Sequence, residues 1–176
     1  MVDLQWECKC KLLHFLVIFK GLPELPAGLL NLELVMNFPK PEEVIPHRNP
    51  FLFLTEVTQL DVSKSAEGYW QLTESEEFFS GHFPDFPTLP GVLMCESIAQ
   101  LGAYTLLSDQ TFDGLLPLFG GIDNVRFRRR VSPGERLDLS VELSRISARG
   151  GKGSGKALVG GELACSCDLM FVFATV

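Results

Sequence analysis

No apolar run in the sequence approaches the ~20 residues that a membrane-spanning helix needs. The longest early one, HFLVIF from His14 to Phe19, stops at Lys20. Histidine is scarce, with three in 176 residues, and these are scattered without the Cys or Asp neighbours that would complete a metal site. Cysteine is few and odd in number. Five thiols cannot all pair, and their spacing is not that of a secreted disulfide scaffold. Cys8/Cys10 and Cys165/Cys167 are read as free thiols in a reducing cytoplasm. Positive charge is in deficit, the net being −7, which disfavours nucleic acid as a general partner. At the N-terminus Asp3 and Glu7 offset Lys9 and Lys11, and no small-x-small cleavage site follows. A secretory or transit peptide is therefore not expected.

What is present is apolar content, 46% of residues, enough for one domain with a proper core. Residues 1–36 carry KGLPELPAGLLNLEL, breakers between apolar stretches with no sustained period. They read either as an accessory helix or as an extension upstream of a start near Met36, with the domain proper over 37–176. From Phe38 the pattern is orderly. Phe51–Leu60 and Ala66–Thr73 read as strands. Val92–Leu107 is apolar or small nearly all round, the mark of a helix surrounded by protein. RLDLSVELSRIS alternates strictly, with Leu137, Leu139, Val141 and Leu143 on one face. KALVGGEL and ACSCDLMFVFATV continue the strand pattern. The layout is α+β, one helix with about five or six antiparallel strands. GGKGSGKA, Gly150–Ala157, nearly spells a phosphate-binding loop, but Ala157 stands where a magnesium-binding hydroxyl is needed and no helix follows. It is read as a flexible hairpin connection.

The chemistry concentrates in SGHFPDFPTLPGVLMCESIAQ, Ser80–Gln100. Pro84, Pro87 and Pro90 stiffen the loop that carries His82. Gly91 opens the helix, where first-turn amides and the positive end of the helix dipole can receive charge developing on a carbonyl oxygen. Glu96 lies about one turn further in, among Leu93, Met94, Ile98 and Ala99, and needs a partner or a shifted pKa there. Gln100, four residues on, shares its face. Histidine, carboxyl and oxyanion cradle together suit acid–base work on a carbonyl compound.

The stretch HFPDFPTLPGVLMCESIAQ resembles, in register, the motif of the β-hydroxyacyl-acyl carrier protein dehydratases of fatty acid synthesis, the FabZ type. IPHRNPFLFL and IDNVRFRRRVSPGERL resemble two further family segments, and the likeness spans about Phe38 to Ala174. It implies a hotdog fold, a long helix wrapped in an antiparallel sheet. It also implies a homodimer with two active sites at the interface, dimers that often gather as a trimer of dimers, and no metal or nucleotide cofactor. His82 and Glu96 fall on the family's catalytic residues, supplied by different subunits, and the Gly91 amide on its oxyanion site. Phe83, Leu89 and Val92 would wall an acyl tunnel. Between 126 and 156 nine basic residues face three acidic ones. Arg126, Arg128, Arg129 and Arg130 in that stretch would dock the acidic carrier protein.

The chain departs from the family pattern at Asn49, Thr55-Glu56, Asp85 (where glycine is usual) and Arg130 (where proline is usual). These bear on substrate identity more than on reaction type. His47 and Arg48, between Pro46 and Pro50, read as turn-fixing residues. His14 has no role, and Cys95 is taken as packing. Phe51, Phe53, Phe78, Phe79, Phe171 and Phe173 are read as core or sheet faces. Two rival readings stand beside the dehydratase: a hotdog thioesterase, and a non-catalytic subunit that binds acyl carrier protein.

Overall fold

A computed structural model of the chain describes residues 38–175. The N-terminal extension, with His14, Cys8 and Cys10, lies outside the described residues. The helix that must be covered on all sides, α2 (Gly91–Leu107), follows a single helical turn α1 (Pro41–Val44). Six strands wrap it: β1 (Glu56–Asp61), β2 (Ser65–Gln71), β3 (Leu115–Phe127), β4 (Arg136–Ser147), β5 (Gly150–Val159) and β6 (Glu162–Thr175). They form one antiparallel sheet in the order β1-β2-β4-β5-β6-β3. The helix contacts every strand. This is a hotdog architecture, as the resemblance implies.

Burial explains the wrap. From Met94 to Leu106 nearly every residue of α2 is buried, including the polar Ser97, Gln100 and Thr105. Ser97 and Thr105 turn their hydroxyls back onto the helix carbonyls of Met94 and Leu101. Tyr104 hydrogen-bonds Pro39 O at 2.8 Å. Ile98, Leu101 and Leu106 have no solvent exposure, each contributing roughly 2 kcal/mol of hydrophobic stabilisation. The opposing face is the alternating set the sequence displays, with Leu137, Leu139 and Val141 buried on β4.

Two local expectations need correction. Phe51–Leu60 is not strand throughout: pairing begins only at Glu56. Residues 51–53 instead lie against α2, where the Gln100 side chain takes up their backbone groups. Phe51 is consequently 52% exposed, not core. The glycine-rich stretch is not a flexible connection either. Gly150–Val159 is an interior strand paired on both sides, and the hairpin turn falls at Gly160-Gly161, both at positive φ. Gly151, Gly153 and Gly155 occupy its inward face. A Cβ on Gly155 would collide with Ile98 of the helix and stand 2.8 Å from Ser140 O. Gly155 lets the helix and sheet close together, Gly153 lets β5 lie close to Glu142 O of β4, and a glycine face carries no apolar period to read.

Gly155→Val is expected to destabilise the fold by about 3 kcal/mol or more, because neither the helix nor the adjoining strand can retreat. Thermal or urea unfolding against wild type measures it.

Candidate active site

His82 sits in a loop closed on itself. Its amide donates to Phe78 O at 2.9 Å, its carbonyl accepts from Thr88 N–H at 2.8 Å, and Phe86 N–H reaches Phe83 O at 2.9 Å. Asp85 lies inside that last turn without positive φ, so the turn does not need the glycine of the family pattern. The His82–Phe83 peptide is cis, and the imidazole stacks on the Phe83 ring with centroids 4.2 Å apart. The ring's Nδ1 lies 2.8 Å from Thr88 O. A carbonyl oxygen can only accept, so Nδ1 carries the hydrogen. In the neutral ring Nε2 then holds the lone pair, the state a general base requires.

Arg130 braces the same loop. Its guanidinium stands 3.8 Å over the Phe86 ring and reaches Pro87 O at 3.5 Å. Beside it, Leu89 N–H bonds Val131 O at 2.8 Å. The loop is held against the β3–β4 connection along most of its second half. Leu89 is buried in the core, whereas Phe83, Phe86 and Val92 are exposed.

Glu96 occupies a shelf one turn into α2, partly buried. Gln100 Nε2 donates to its Oε1 at 3.0 Å. The Gln100 amide is fully used: it also donates to Phe51 O at 3.2 Å and accepts from Phe53 N–H at 2.7 Å. His47 Nε2 lies 3.5 Å from the same Glu96 oxygen. This corrects the reading of His47 as a turn-fixing residue. Arg48 alone does that work, donating to Ile45 O and His47 O. Forty-nine residues separate His47 from Glu96, and only the position of His47 beside the Gln100-bound segment 51–53 could have hinted at their meeting.

At Gly91 the helix opens behind Pro90, with no capping side chain and no acidic residue in its first turn. Leu93 N–H is used by Pro90 O, while the amides of Gly91 and Val92 are among the free donors of a helix start. A side chain at Gly91 would press on the Phe127 ring, 2.9 Å from its Cε1. Its glycine is thus required by close approach of β3 as well as by access to the amides.

Within one chain His82 and Glu96 share no partner among the described residues. An aromatic ladder joins their surroundings: Phe51 to Phe53, Phe53 to Trp70, Trp70 to Phe78, Phe78 to Phe79, with centroids 4.6–6.1 Å apart. A cavity of about 740 Å³ lies elsewhere, over sheet residues including Glu67, Ser140, Lys156 and Asp168, away from both side chains. Of the four arginines, Arg129 is bound internally, to Glu135 at 2.7 Å, Glu162 at 3.6 Å and Val159 O. Arg126 and Arg128 are exposed.

A family model described as a FabA-like domain matches residues 45–168, and the chain belongs to that family. Three FabZ dehydratases are among its relatives. The 3-hydroxyacyl-[acyl-carrier-protein] dehydratase FabZ of Bacillus licheniformis is 48% identical over 130 residues, 74% of this chain and 90% of that protein. The FabZ of Bacillus subtilis is 46% identical over 74% of this chain and 92% of its own length. That of Staphylococcus carnosus is 43% identical over 82% and 100%. The chain is thus a FabA-like family member of the FabZ dehydratase type. A solved structure described as the dehydratase heterocomplex ApeI:P from Xenorhabdus doucetiae shares the fold, with TM-score 0.70 at 17% identity over 79% of this chain and 93% of that one.

Arg130→Ala is expected to free Phe86 and loosen the His82 loop. Limited proteolysis between Phe83 and Leu89 should quicken several-fold, while the melting temperature stays within a few degrees of wild type, an exposed cation–π contact contributing only about 0.5–1 kcal/mol.

Proposed function

We propose that the chain removes water from a (3R)-3-hydroxyacyl thioester carried on acyl carrier protein, giving the trans-2-enoyl thioester of fatty acid or related acyl-chain synthesis. The observation that carries this reading is the His82 tautomer set by Thr88 O, in a chain nearly half identical to FabZ dehydratases. His82 Nε2 takes the α-proton. The Gly91 amide receives the charge that spreads into the thioester oxygen. Glu96, in its protonated form or through a water, hands a proton to the departing β-hydroxyl. The cycle ends with imidazolium and carboxylate, and a proton passing back through solvent restores both. No step calls for a metal or a nucleotide.

The partner that completes the site is a second copy of the chain. β3 is a sheet edge thirteen residues long that presents Leu118, Phe119, Ile122 and Phe127 to solvent. An unpaired apolar edge of that length invites pairing with another strand. A homodimer across β3 sets the His82 loop of one protomer facing the Glu96 shelf of its mate, with Phe83 and Val92 toward the acyl chain. Arg126 and Arg128 then meet the acidic carrier protein. A reducing cytoplasm suits the buried thiols Cys95 and Cys165, which form no disulfide and share a thiol hydrogen bond at 3.9 Å. Among the described residues no helix is long and apolar enough to cross a membrane.

Mixed with 3-hydroxyacyl thioesters of varied length and carrier, the protein should produce enoyl absorbance. His82→Ala should lose about a thousandfold in kcat or more. No enoyl product with any donor, or undiminished turnover in His82→Ala, would sink the reading; release of free thiol would favour a thioesterase. In light scattering, Ile122→Glu should shift the assembly toward monomer and lose activity in proportion, the like charges meeting across the edge.

A further inference from the structure

His47 has two ring nitrogens in unlike surroundings. Nε2 stands 3.5 Å from Glu96 Oε1. Nδ1 is buried and has no hydrogen-bond partner among the described residues. A second ring proton would have to sit on that nitrogen, as a buried donor with nothing to receive it, which is costly. In the neutral ring the hydrogen therefore sits on Nε2, the nitrogen that faces an acceptor. The Nε2–H is aimed at the carboxyl group as the donor of a hydrogen bond that, at 3.5 Å, is not yet formed; such bonds often tighten only when substrate closes a site.

The bond has a direction that matters. Gln100 Nε2–H and His47 Nε2 converge on one carboxyl oxygen, Oε1. Among the described residues Oε2 has no partner. The backbone that carries His47 cannot drift, because Arg48 Nη1 ties it to Ile45 O at 2.8 Å and Phe51 N–H closes onto Arg48 O at 2.8 Å. Gln100 then clamps Phe51 and Phe53 to the helix that bears Glu96.

We propose that His47 is a positioning residue for the dehydration: with Gln100 it holds Glu96 Oε1 and leaves Oε2 turned to the substrate's β-hydroxyl. This rests on the dehydratase reading above. The role is to fix which oxygen delivers the proton and at what angle, a matter in which small misplacement costs rate and not affinity. His47 itself touches no reacting atom. Its action passes through Glu96 alone, so the effect of removing it must vanish when Glu96 can no longer act as an acid.

The experiment is steady-state turnover of a 3-hydroxyacyl thioester by wild type, His47→Phe, His47→Gln, Glu96→Gln and the double variant His47→Phe/Glu96→Gln, with melting curves for each. His47→Phe should lose about tenfold in kcat with KM within twofold. His47→Gln, whose amide can still donate, should recover most of that. In the Glu96→Gln background His47→Phe should cost nothing further. Where His47→Phe does not fold, His47→Asn, whose shorter amide falls short of Oε1, takes its place with the same expected loss. Unchanged kcat in His47→Phe, no recovery in His47→Gln, or the same fold-loss with and without Glu96 each overturns the inference. A wild-type chain that forms no enoyl product overturns the dehydratase reading and this inference with it, whereas an active wild type indifferent to His47 overturns this inference alone.

Discussion

An apolar helix with no polar stripe has to be covered on every side, and the rest of the molecule follows from that demand. One flat sheet can cover only one face, so the strands curl until each touches α2. The covering is complete from Met94 to Leu106 except at the partly buried Glu96, and it is incomplete at the first turn, where Val92 is 69% exposed. The uncovered end is where the free amides lie. The fold thus leaves backbone donors at a helix start that no capping side chain covers among the described residues.

Close wrapping sets a second constraint, on side-chain size. β5 meets the helix through Gly155, where a Cβ would collide with Ile98, and α2 answers with Gly102, whose Cβ would stand 2.8 Å from the Phe171 ring. Glycine weakens a strand taken alone. Here it sits in an interior strand with ladder partners on both sides, so the backbone bonds and the shortened helix–sheet distance offset the loss. The same logic explains Gly91, pressed by Phe127. A ring from β3 thus stands beside the amide that the chemistry needs, and the edge strand that would pair with a second copy is also the wall of the site.

The parts that were legible in the sequence are those where one residue type has one structural meaning. The alternation of Leu137, Leu139, Val141 and Leu143 falls within β4, whose register shifts after Leu143, and the unbroken apolar run is α2 with one residue added at Gly91. Gln100 four residues after Glu96 is the pairing that helical spacing makes available. What was not legible depends on tertiary proximity. The glycine run of β5 carries no hydrophobic period because its inward face is empty by design of the packing. His47 lies beside Glu96 only because residues 45–53 are laid across the helix by Gln100, a contact between segments some fifty residues apart. Arg129 looks like its exposed neighbours in a basic string, and only the fold brings Glu135 and Glu162 to it.

The two halves of the candidate site are held for separate reasons, and that separation bears on the proposed pairing with a second copy. His82 is oriented by its own loop, through Thr88 O and the Arg130 brace, with no help from the helix that bears Glu96. Glu96 is oriented by Gln100 and by the segment laid over α2, with no help from the loop. Each half is preorganised before any partner arrives, so bringing two such surfaces together requires little rearrangement of either. Preorganised groups lose little freedom when the site forms, which is the condition under which electrostatic stabilisation of a developing oxyanion is most effective. The aromatic ladder from Phe51 to Phe79 couples the halves within each protomer. In the proposed dimer, where the two belong to different sites, a disturbance at the Glu96 shelf of one site is thereby carried toward the His82 loop that serves the other.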